Sequence, residues 1–211
     1  MRLAEIGLAW FAYFVLHSLL AASATKACIG VHFPRAMPVY RAAYNVVASL
    51  ALLPVLWLVY ATPSAWLWQW RGPWLWLADG CALISLLCFY LSARSYDMGE
   101  FLGLRQWAAR SERVVEHFTI SPFHRFVRHP WYCFGLVLLW TRDMNGPILL
   151  SAIAITLYFI LGSRLEERKL TACFGQAYQH YMARVPGLIP LPWRYLTRAQ
   201  ADALSGHCNH H

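Results

Sequence analysis

The sequence predicts an all-α integral membrane protein with five transmembrane helices, the last two of which form a C-terminal helical hairpin. Of its 211 residues, 59% are hydrophobic and 13% are charged, whereas a soluble domain is about 25% charged. Three uninterrupted apolar stretches are each long enough to cross about 30 Å of hydrocarbon as a helix. The basic residues also collect on one side of the predicted membrane. These three observations exclude an ordinary soluble domain.

Three helices form the predicted membrane scaffold over residues 1–93. Their apolar stretches lie at residues 3–22, 39–61 and 73–93. Each stretch holds about 20 residues, which at 1.5 Å per residue covers the hydrocarbon core. The joins between them are short and leave no room for a soluble domain.

The last two helices are predicted as a hairpin. The apolar block 130–141 is too short to cross the bilayer alone, and a second block at 147–162 follows it closely. Asn145 and Gly146 between the blocks favour a turn. Pro147 suits the first turn of a helix, because it has no amide hydrogen to leave unpaired there.

The basic residues predict the orientation of the chain. With the C-terminus in the cytoplasm and the N-terminus outside, only Arg2, Arg71 and Arg142 of the 18 Lys and Arg residues fall on the outer side. This asymmetry is what the positive-inside rule expects. The net charge of +8 is therefore explained by membrane orientation, and no nucleic-acid partner is indicated.

The chain is predicted to be one domain with its polar chemistry in residues 94–200. Within that region the hairpin 130–163 is flanked by the polar, basic and aromatic segments 94–129 and 163–200. We expect these two segments to converge on the cytoplasmic side. Residues 201–211 are expected to be a disordered tail, and no metal site is predicted.

A group of charged residues borders the hairpin at both ends. Arg128 and His129 enter it, and Glu166 and Glu167 leave it. A short hairpin places its ends side by side, so these groups should meet at the hydrocarbon boundary, where unpaired charge is costly. From the residues alone, they are either an ion pair that anchors the hairpin or a reactive site.

A wider pattern covers residues 117–192. It contains Phe126-Val127-Arg128-His129-Pro130-Trp131-Tyr132, Leu165-Glu166-Glu167-Arg168-Lys169-Leu170, Phe174-Gly175, Tyr178, Tyr181, Val185-Pro186 and Ile189-Pro190. In this order it resembles the isoprenylcysteine carboxyl methyltransferase superfamily of membrane enzymes. The first half is similar to the bacterial branch that includes methanethiol S-methyltransferases and denitrification-associated proteins, through His17-Ser18-Leu19-Leu20-Ala21, Tyr40-Arg41 and Gly103-Leu104-Arg105-Gln106.

The resemblance implies a methyltransferase of the bacterial inner membrane that uses S-adenosylmethionine and releases S-adenosylhomocysteine. It implies that the cofactor is bound by His129, Pro130, Tyr132, Glu166, Glu167, Leu170, Tyr178 and Tyr181. The catalytic residues would be Arg128, His129 and Glu167. Residues that would sort substrates are Arg105, Gln106, Trp107 and Trp140.

The acceptor and its activation stay open at this point. A lipophilic or small membrane-permeable thiol, carboxylate or amine fits the resemblance, with membrane lipid as the surroundings. A thiol would need deprotonation by His129, by His124 or through a nearby arginine, whereas a carboxylate would not. A nicotinamide-dependent membrane reductase and a non-catalytic accessory protein are the alternative functions, and the oligomeric state is not predicted.

Two further polar residues lie inside predicted spans. His17 is interpreted either as part of a substrate tunnel or as a histidine hydrogen-bonded between helices. Asp79, about two turns into the third span, is either a functional intramembrane acid or a residue near the lipid head groups.

Overall fold

The computed structural model describes residues 2–94, 96–109, 117–118, 120–204 and 206–207. Its α-helices are α1 (Arg2–Ala21), α2 (Ser23–His32), α3 (Met37–Ala61), α4 (Pro73–Ala93), α5 (Met98–Phe101), α6 (Leu104–Ala109), α7 (Pro130–Trp140), α8 (Gly146–Arg184) and α9 (Arg198–Leu204). Short 3-10 turns cover Pro34–Ala36 and Phe123–Arg125. Four short strands are β1 (Trp66–Trp68), β2 (His117–Phe118), β3 (Met144–Asn145) and β4 (Gly206–His207).

The prediction of an all-α integral membrane protein is confirmed. Among the described residues, four helical segments are long and apolar enough to cross a membrane: Arg2–Ala21, Pro34–Ala61, Pro73–Ala93 and Gly146–Arg184. Helix α7 has 11 residues and is therefore only about 16 Å long. The count of five spans and the orientation stay predictions.

The chain divides into two compact units, and the first comprises Met1–Trp70, Tyr96–Val114 and Asp143–Ile155. Its apolar core joins α1 to α3 through Ile6, Trp10, Val55 and Val59, all of which are buried. The Trp10 indole nitrogen donates a 2.8 Å hydrogen bond to Ser151 Oγ. A buried indole N–H is thereby satisfied inside an apolar core.

The turn that precedes α8 also belongs to this first unit. Strands β1 and β3 pair in antiparallel fashion there, and the Trp70 amide donates to Asp143 Oδ1 at 2.9 Å. The side chain of Asn145 accepts a hydrogen bond from the Ile148 amide at 3.0 Å. This contact caps the start of α8. Asn145 lies in β3 and Gly146 is the first residue of α8, so the turn predicted at these two residues lies earlier, at residues 141 and 142.

Helices α5 and α6 pack against α3 at a glycine. Gly103 has φ 83°, and a Cβ placed on it would lie 2.6 Å from the Ala42 amide nitrogen. Only glycine permits both this backbone conformation and this close approach. The segment therefore lies directly on α3.

The second unit comprises Arg71–Ser95, Val115–Arg142 and Thr156–His211. Helix α4 packs on α7, where Ser85 Oγ donates to the Phe134 carbonyl at 2.8 Å and the Trp131 indole donates to Ser92 Oγ at 3.0 Å. A separate buried cluster forms where residues 120–129 meet the last part of α8 and the chain beyond it. Its members are Ile120, Tyr178, Tyr181, Val185, Leu196 and Ala201.

Helix α8 is one element of 39 residues with an internal interruption. The apolar spacing of residues 164–184 predicts a helix that is broken near Gly175. Gly175 has φ 55° and ψ −129°, outside the helical region, which confirms the break. The sequence predicts one helix that ends near residue 162 and another that begins near residue 164, but α8 is continuous through residue 163. The polar residues that follow the apolar stretch continue the same helix, and no turn separates them from it.

The prediction of a disordered tail from residue 201 is wrong for its first part. Residues 201–204 complete α9, and Ala201 is buried. Strand β4 pairs with β2, and the rest of the tail lies outside the described residues. The sequence signal was misleading because this short helix is stabilised by packing in the second unit rather than by its own composition.

Candidate active site

The candidate site forms where α7 begins, within the second unit. Pro130 occupies the first position of α7, where a residue without an amide hydrogen costs nothing. The two residues before it are held by the chain that follows α8. The Arg128 amide donates to the Pro186 carbonyl at 2.8 Å, and the His129 amide donates to the Gly187 carbonyl at 3.0 Å.

All three nitrogens of the Arg128 guanidinium make contacts within the protein. Its Nε and Nη2 atoms each lie 2.8 Å from Glu167 Oε1. Its Nη1 atom donates to the carbonyl of Met182 at 3.0 Å and also to that of Val185. These carbonyls lie at the C-terminal end of α8, where they have no partner within the helix. Arg128 therefore joins the start of α7 to the end of α8.

His129 lies between two carboxylates. Its Nε2 atom is 3.0 Å from Glu167 Oε1, and its Nδ1 atom is 3.4 Å from Glu166 Oε2. The two carboxylates differ in exposure, since the Glu167 side chain is 11% exposed and that of Glu166 is 50% exposed. Glu167 is thus occupied by Arg128 and His129, whereas Glu166 presents much of its surface outward.

The carboxylates also decide the protonation of His129. Burial alone would lower the pKa of this imidazole, but the hydrogen bonds and charges of Glu166 and Glu167 outweigh burial and raise the pKa above its ordinary value of 6.5. The protonated ring can donate through both nitrogens, one toward each carboxylate.

Aromatic rings continue the site along α7 and α8. The Tyr132 ring stacks on His129, with centroids 5.4 Å apart, and on Phe159, with centroids 4.6 Å apart. A Cβ placed on Gly162 would lie 3.8 Å from the Tyr132 hydroxyl. The stack fixes the orientation of the histidine ring between its two acids.

Tyr178, Tyr181 and Leu170 lie behind this cluster. Both tyrosines are buried, with their rings edge to face at 5.6 Å, and Leu170 packs against the same apolar cluster. The Tyr181 hydroxyl donates to the His124 carbonyl at 2.7 Å. These residues support the site from its buried side.

His124 is a second histidine near the cluster. Its Nδ1 atom lies 2.7 Å from Ser121 Oγ. Burial, together with the charge of His129, lowers the pKa of His124 to about 4. It is therefore neutral at physiological pH and a weak base.

The structure brings most of the predicted site residues together. Those that meet in the second unit are Arg128, His129, Pro130, Tyr132, Glu166, Glu167, Leu170, Tyr178 and Tyr181. The four residues predicted to sort substrates are not part of this cluster.

Three of those four lie in the first unit. Arg105 forms a 2.6 Å ion pair with Asp97 and is largely exposed, and Trp107 is also exposed. Gln106 is buried and donates to the Glu100 carbonyl at 3.3 Å. In the second unit, Trp140 donates to Thr156 Oγ1 at 3.0 Å.

Several contacts of the site were missed by the sequence. Phe159 carried no signal, because one more aromatic residue in an apolar span is ordinary. The Met182 and Val185 carbonyls are backbone groups, which sequence patterns rarely reveal. Gly187 follows the Val185-Pro186 pair that the pattern contains, and a Cβ on it would lie 3.3 Å from Arg128 Nη2.

His17 and Asp79 also find partners. The His17 Nε2 atom lies 2.7 Å from the Tyr44 hydroxyl, so the interhelical hydrogen bond is present. Asp79 Oδ1 lies 3.2 Å from Arg142 Nη2 in an exposed ion pair.

Comparison with known proteins finds several relatives with one shared name. The chain is 33% identical over 192 residues to methanethiol S-methyltransferase 2 of Bradyrhizobium diazoefficiens, covering 89% of this chain and 72% of that protein. It is 35% identical over 150 residues to methanethiol S-methyltransferase of a Pseudomonas species, covering 67% and 55%. The corresponding protein of Crocosphaera subtropica is 29% identical over 191 residues, covering 82% and 69%. No family model matches the chain, and no solved structure matches it.

Proposed function

The chain belongs to the isoprenylcysteine carboxyl methyltransferase-like membrane family, and we propose that it transfers the methyl group of S-adenosylmethionine to the sulfur of a small thiol. The names of its relatives favour a thiol over the carboxylate and amine acceptors. Methanethiol is the acceptor that those names give. Methyl transfer is also more consistent with these relatives than nicotinamide-dependent reduction is.

The observation that carries this proposal is the cluster of Arg128, His129, Glu166 and Glu167 at the start of α7, in which only Glu166 is half exposed. An ion pair that merely anchors the hairpin requires Arg128 and Glu167. It does not require a second carboxylate and a histidine between the two. The extra groups leave a half-exposed carboxylate beside a cationic ring, which is a polar binding surface.

The donor set of the cluster fits S-adenosylmethionine. Glu166 can accept hydrogen bonds from the ribose hydroxyls or the amino group of this cofactor, and aromatic rings can cover its adenine or its cationic sulfur. Glu167 is occupied internally, so its role is to hold His129 and Arg128 in position. Bound S-adenosylmethionine supplies a methyl group on a positively charged sulfur, which an anionic sulfur accepts by in-line displacement.

The cluster itself supplies no strong base for the thiol. The hydrogen bonds and charges of its two carboxylates raise the pKa of His129 and so favour the protonated ring, which cannot accept a proton. His124, with a pKa of about 4, is a weak base. The charge of Arg128 is balanced by Glu167. We therefore propose that the acceptor reacts as the thiolate already present at ambient pH, and that the protein contributes alignment and exclusion of water.

Binding of S-adenosylhomocysteine to the detergent-purified protein tests the cofactor directly. Isothermal titration calorimetry on the wild type and on Glu166→Gln should show that this variant weakens binding by about tenfold, because a charge-assisted hydrogen bond contributes about 1.5–3 kcal/mol. Glu5→Gln is the matched control, since Glu5 is an exposed acid of α1 in the first unit.

Acceptor identity is tested by incubating the protein with labelled S-adenosylmethionine and a set of small thiols. Thioether formation from methanethiol, with slower reaction of bulkier thiols, is the expected result. A folded protein that binds no S-adenosylhomocysteine would overturn the proposal and favour the accessory function.

We also propose the inner membrane, five spans and a cytoplasmic C-terminus. The basic residues support this orientation. Reporter fusions after residues 70, 94, 142 and 204 should place the second and fourth sites in the cytoplasm and the other two outside. A cytoplasmic reporter after residue 142 would contradict the five-span topology.

A further inference from the structure

The first unit contains a cavity of about 530 Å³ that the proposed reaction does not use. Its walls come from α1, α2, α3 and the residue pair Phe101 and Leu102. The volume lies within the range of about 300–1,000 Å³ that is usual for small-molecule sites. None of the residues of the candidate active site lines it.

The wall formed by α3 changes character along its length. At one end it presents Tyr40, Arg41, Tyr44 and Asn45, and toward the other end it presents small or apolar residues as far as Leu52. Residues four apart share one face of a helix, so these side chains form a continuous strip. From Arg41 to Leu52 the strip is about 16 Å long. The cavity is therefore polar at one end and apolar at the other.

The polar end is fixed by hydrogen bonds across the wall. The Tyr44 hydroxyl lies 2.7 Å from His17 Nε2. The Tyr40 hydroxyl donates to the Leu20 carbonyl at 2.6 Å. Both contacts join α3 to α1, so the spacing of the two walls is set by specific bonds and not by apolar packing alone.

The roof of the cavity is fixed in the same way. Arg41 Nη1 donates to the Glu100 carbonyl at 3.0 Å, and Asn45 Nδ2 donates to the Leu102 carbonyl at 3.2 Å. The close approach of Gly103 to α3 holds the same segment in place. Phe101 and Leu102 thereby cover the cavity.

The charge of the lining is positive. Lys26 and Arg41 are its cationic side chains, and no carboxylate is found among the described lining residues. The Arg41 contact to a backbone carbonyl uses one nitrogen and leaves the guanidinium charge in place. A guanidinium and an ammonium in the lining of one cavity favour an anionic group such as a phosphate.

We infer that this cavity binds an anionic phospholipid of the surrounding membrane. Its phosphate lies at Lys26 and Arg41, and one acyl chain runs along the α3 strip toward Leu52. The phosphate would add an anionic partner for the two cations, and the apolar end would receive methylene groups that gain free energy when they leave water. A one-carbon thiol fills only a small part of the same volume, so the cavity does not match the proposed acceptor.

Native mass spectrometry of the delipidated full-length protein, titrated in detergent with phosphatidylglycerol and separately with phosphatidylcholine, tests this inference. The wild type should retain phosphatidylglycerol in preference to phosphatidylcholine. The double variant Lys26→Gln, Arg41→Gln should lose about fivefold in affinity for each charge removed. The roof segment keeps the bond from Asn45 to the Leu102 carbonyl and the close approach of Gly103 in this variant, because neither involves position 41's side-chain nitrogen.

Two further variants separate the cavity from general membrane electrostatics. Arg35→Gln removes an exposed cation that does not line the cavity and should leave phosphatidylglycerol retention unchanged. Ala48→Leu fills part of the α3 strip and should reduce retention while the charges stay in place. Thermal unfolding of each variant confirms that it is folded.

Three results would overturn the inference. One is equal retention of the two lipids by the wild type, a comparison that needs no variant to fold. Another is an equal loss in Arg35→Gln and in the double variant. The third is displacement of the lipid by glycerol 1-phosphate at the concentration at which the lipid itself competes, because this would mean that the acyl chain contributes nothing.

Discussion

Replacing Glu167 by glutamine removes the charge on which two cations depend while keeping the shape of the side chain. Glu167 Oε1 lies 2.8 Å from Arg128 Nη2 and 3.0 Å from His129 Nε2. The Arg128 and Glu167 side chains are only 12% and 11% exposed. The substitution therefore leaves an arginine with little access to water and no acid in contact with it.

The magnitude follows from this geometry. At 2.8 Å and an effective dielectric constant of about 20, the attraction between Arg128 and Glu167 is roughly 6 kcal/mol before the cost of desolvation. Breaking one side of a buried ion pair costs about 3–5 kcal/mol. Since both side chains keep slight exposure, we expect about 3 kcal/mol for Glu167→Gln. In a protein of this size that lowers the midpoint of thermal unfolding by about 6–12 °C.

The assay is thermal unfolding in detergent, followed by the fluorescence of the 11 tryptophans. Glu166→Gln is the matched control, because Glu166 is half exposed and its pairing is weaker, so its loss should cost less than about 1 kcal/mol. The double variant Arg128→Met, Glu167→Gln should cost less than the sum of the two single variants by at least about 2 kcal/mol. Additivity to within about 0.5 kcal/mol would refute the coupling of these residues.

Three other measurements follow from the structure. Gly175→Ala should destabilise the protein by about 1–2 kcal/mol through its positive φ, whereas Gly80→Ala inside α4 should stabilise it slightly. At both positions a Cβ would have no contact within 4 Å beyond the neighbouring residues and the backbone of its own helix. Equal effects of the two variants would therefore contradict the role assigned to φ. The contribution of His129 to stability should be complete below pH 6.5 and be lost as the pH rises through its raised pKa. The contribution of His124 should be lost as the pH falls from 6.5 toward 4. A midpoint of thermal unfolding that is constant from pH 4 to 9 would argue against both. The rate of methyl transfer should rise with pH through the pKa of the thiol itself, so that a more acidic thiol shifts the profile downward, and a profile independent of the thiol would indicate a protein base.

The features that sequence predicted well are those that local chemistry determines. Helix α8 begins at Gly146, one residue before Pro147, because proline suits the first turn of a helix. Gly175 interrupts α8 because few other residues accept its φ. The meeting of Arg128 with Glu167 followed from the antiparallel hairpin, which brings its two ends together over any length.

The features that the sequence did not reveal depend on distant packing. Tyr178 and Tyr181 stand three residues apart on one helix face, a spacing that suits a ligand site and an apolar core equally well. The structure buries both. The sequence also did not reveal the cavity along α3. Polar and small residues on one face of a membrane span do not indicate a cavity unless the facing helix is known. Helix α9 depends on the same kind of contact through Ala201.

The adjacent carboxylates Glu166 and Glu167 show how one pair of identical residues takes on two tasks. Successive helix positions are about 100° apart, so the two side chains point in different directions. Glu167 faces Arg128 and the end of α8, where its carboxylate forms an ion pair inside the protein. Among the described residues, Glu166 contacts one edge of His129 and keeps half of its surface outward. Substitution of Glu167 should therefore act mainly on stability, and substitution of Glu166 mainly on cofactor affinity. A variant pair with the two effects exchanged would require the cofactor to displace Arg128 from Glu167.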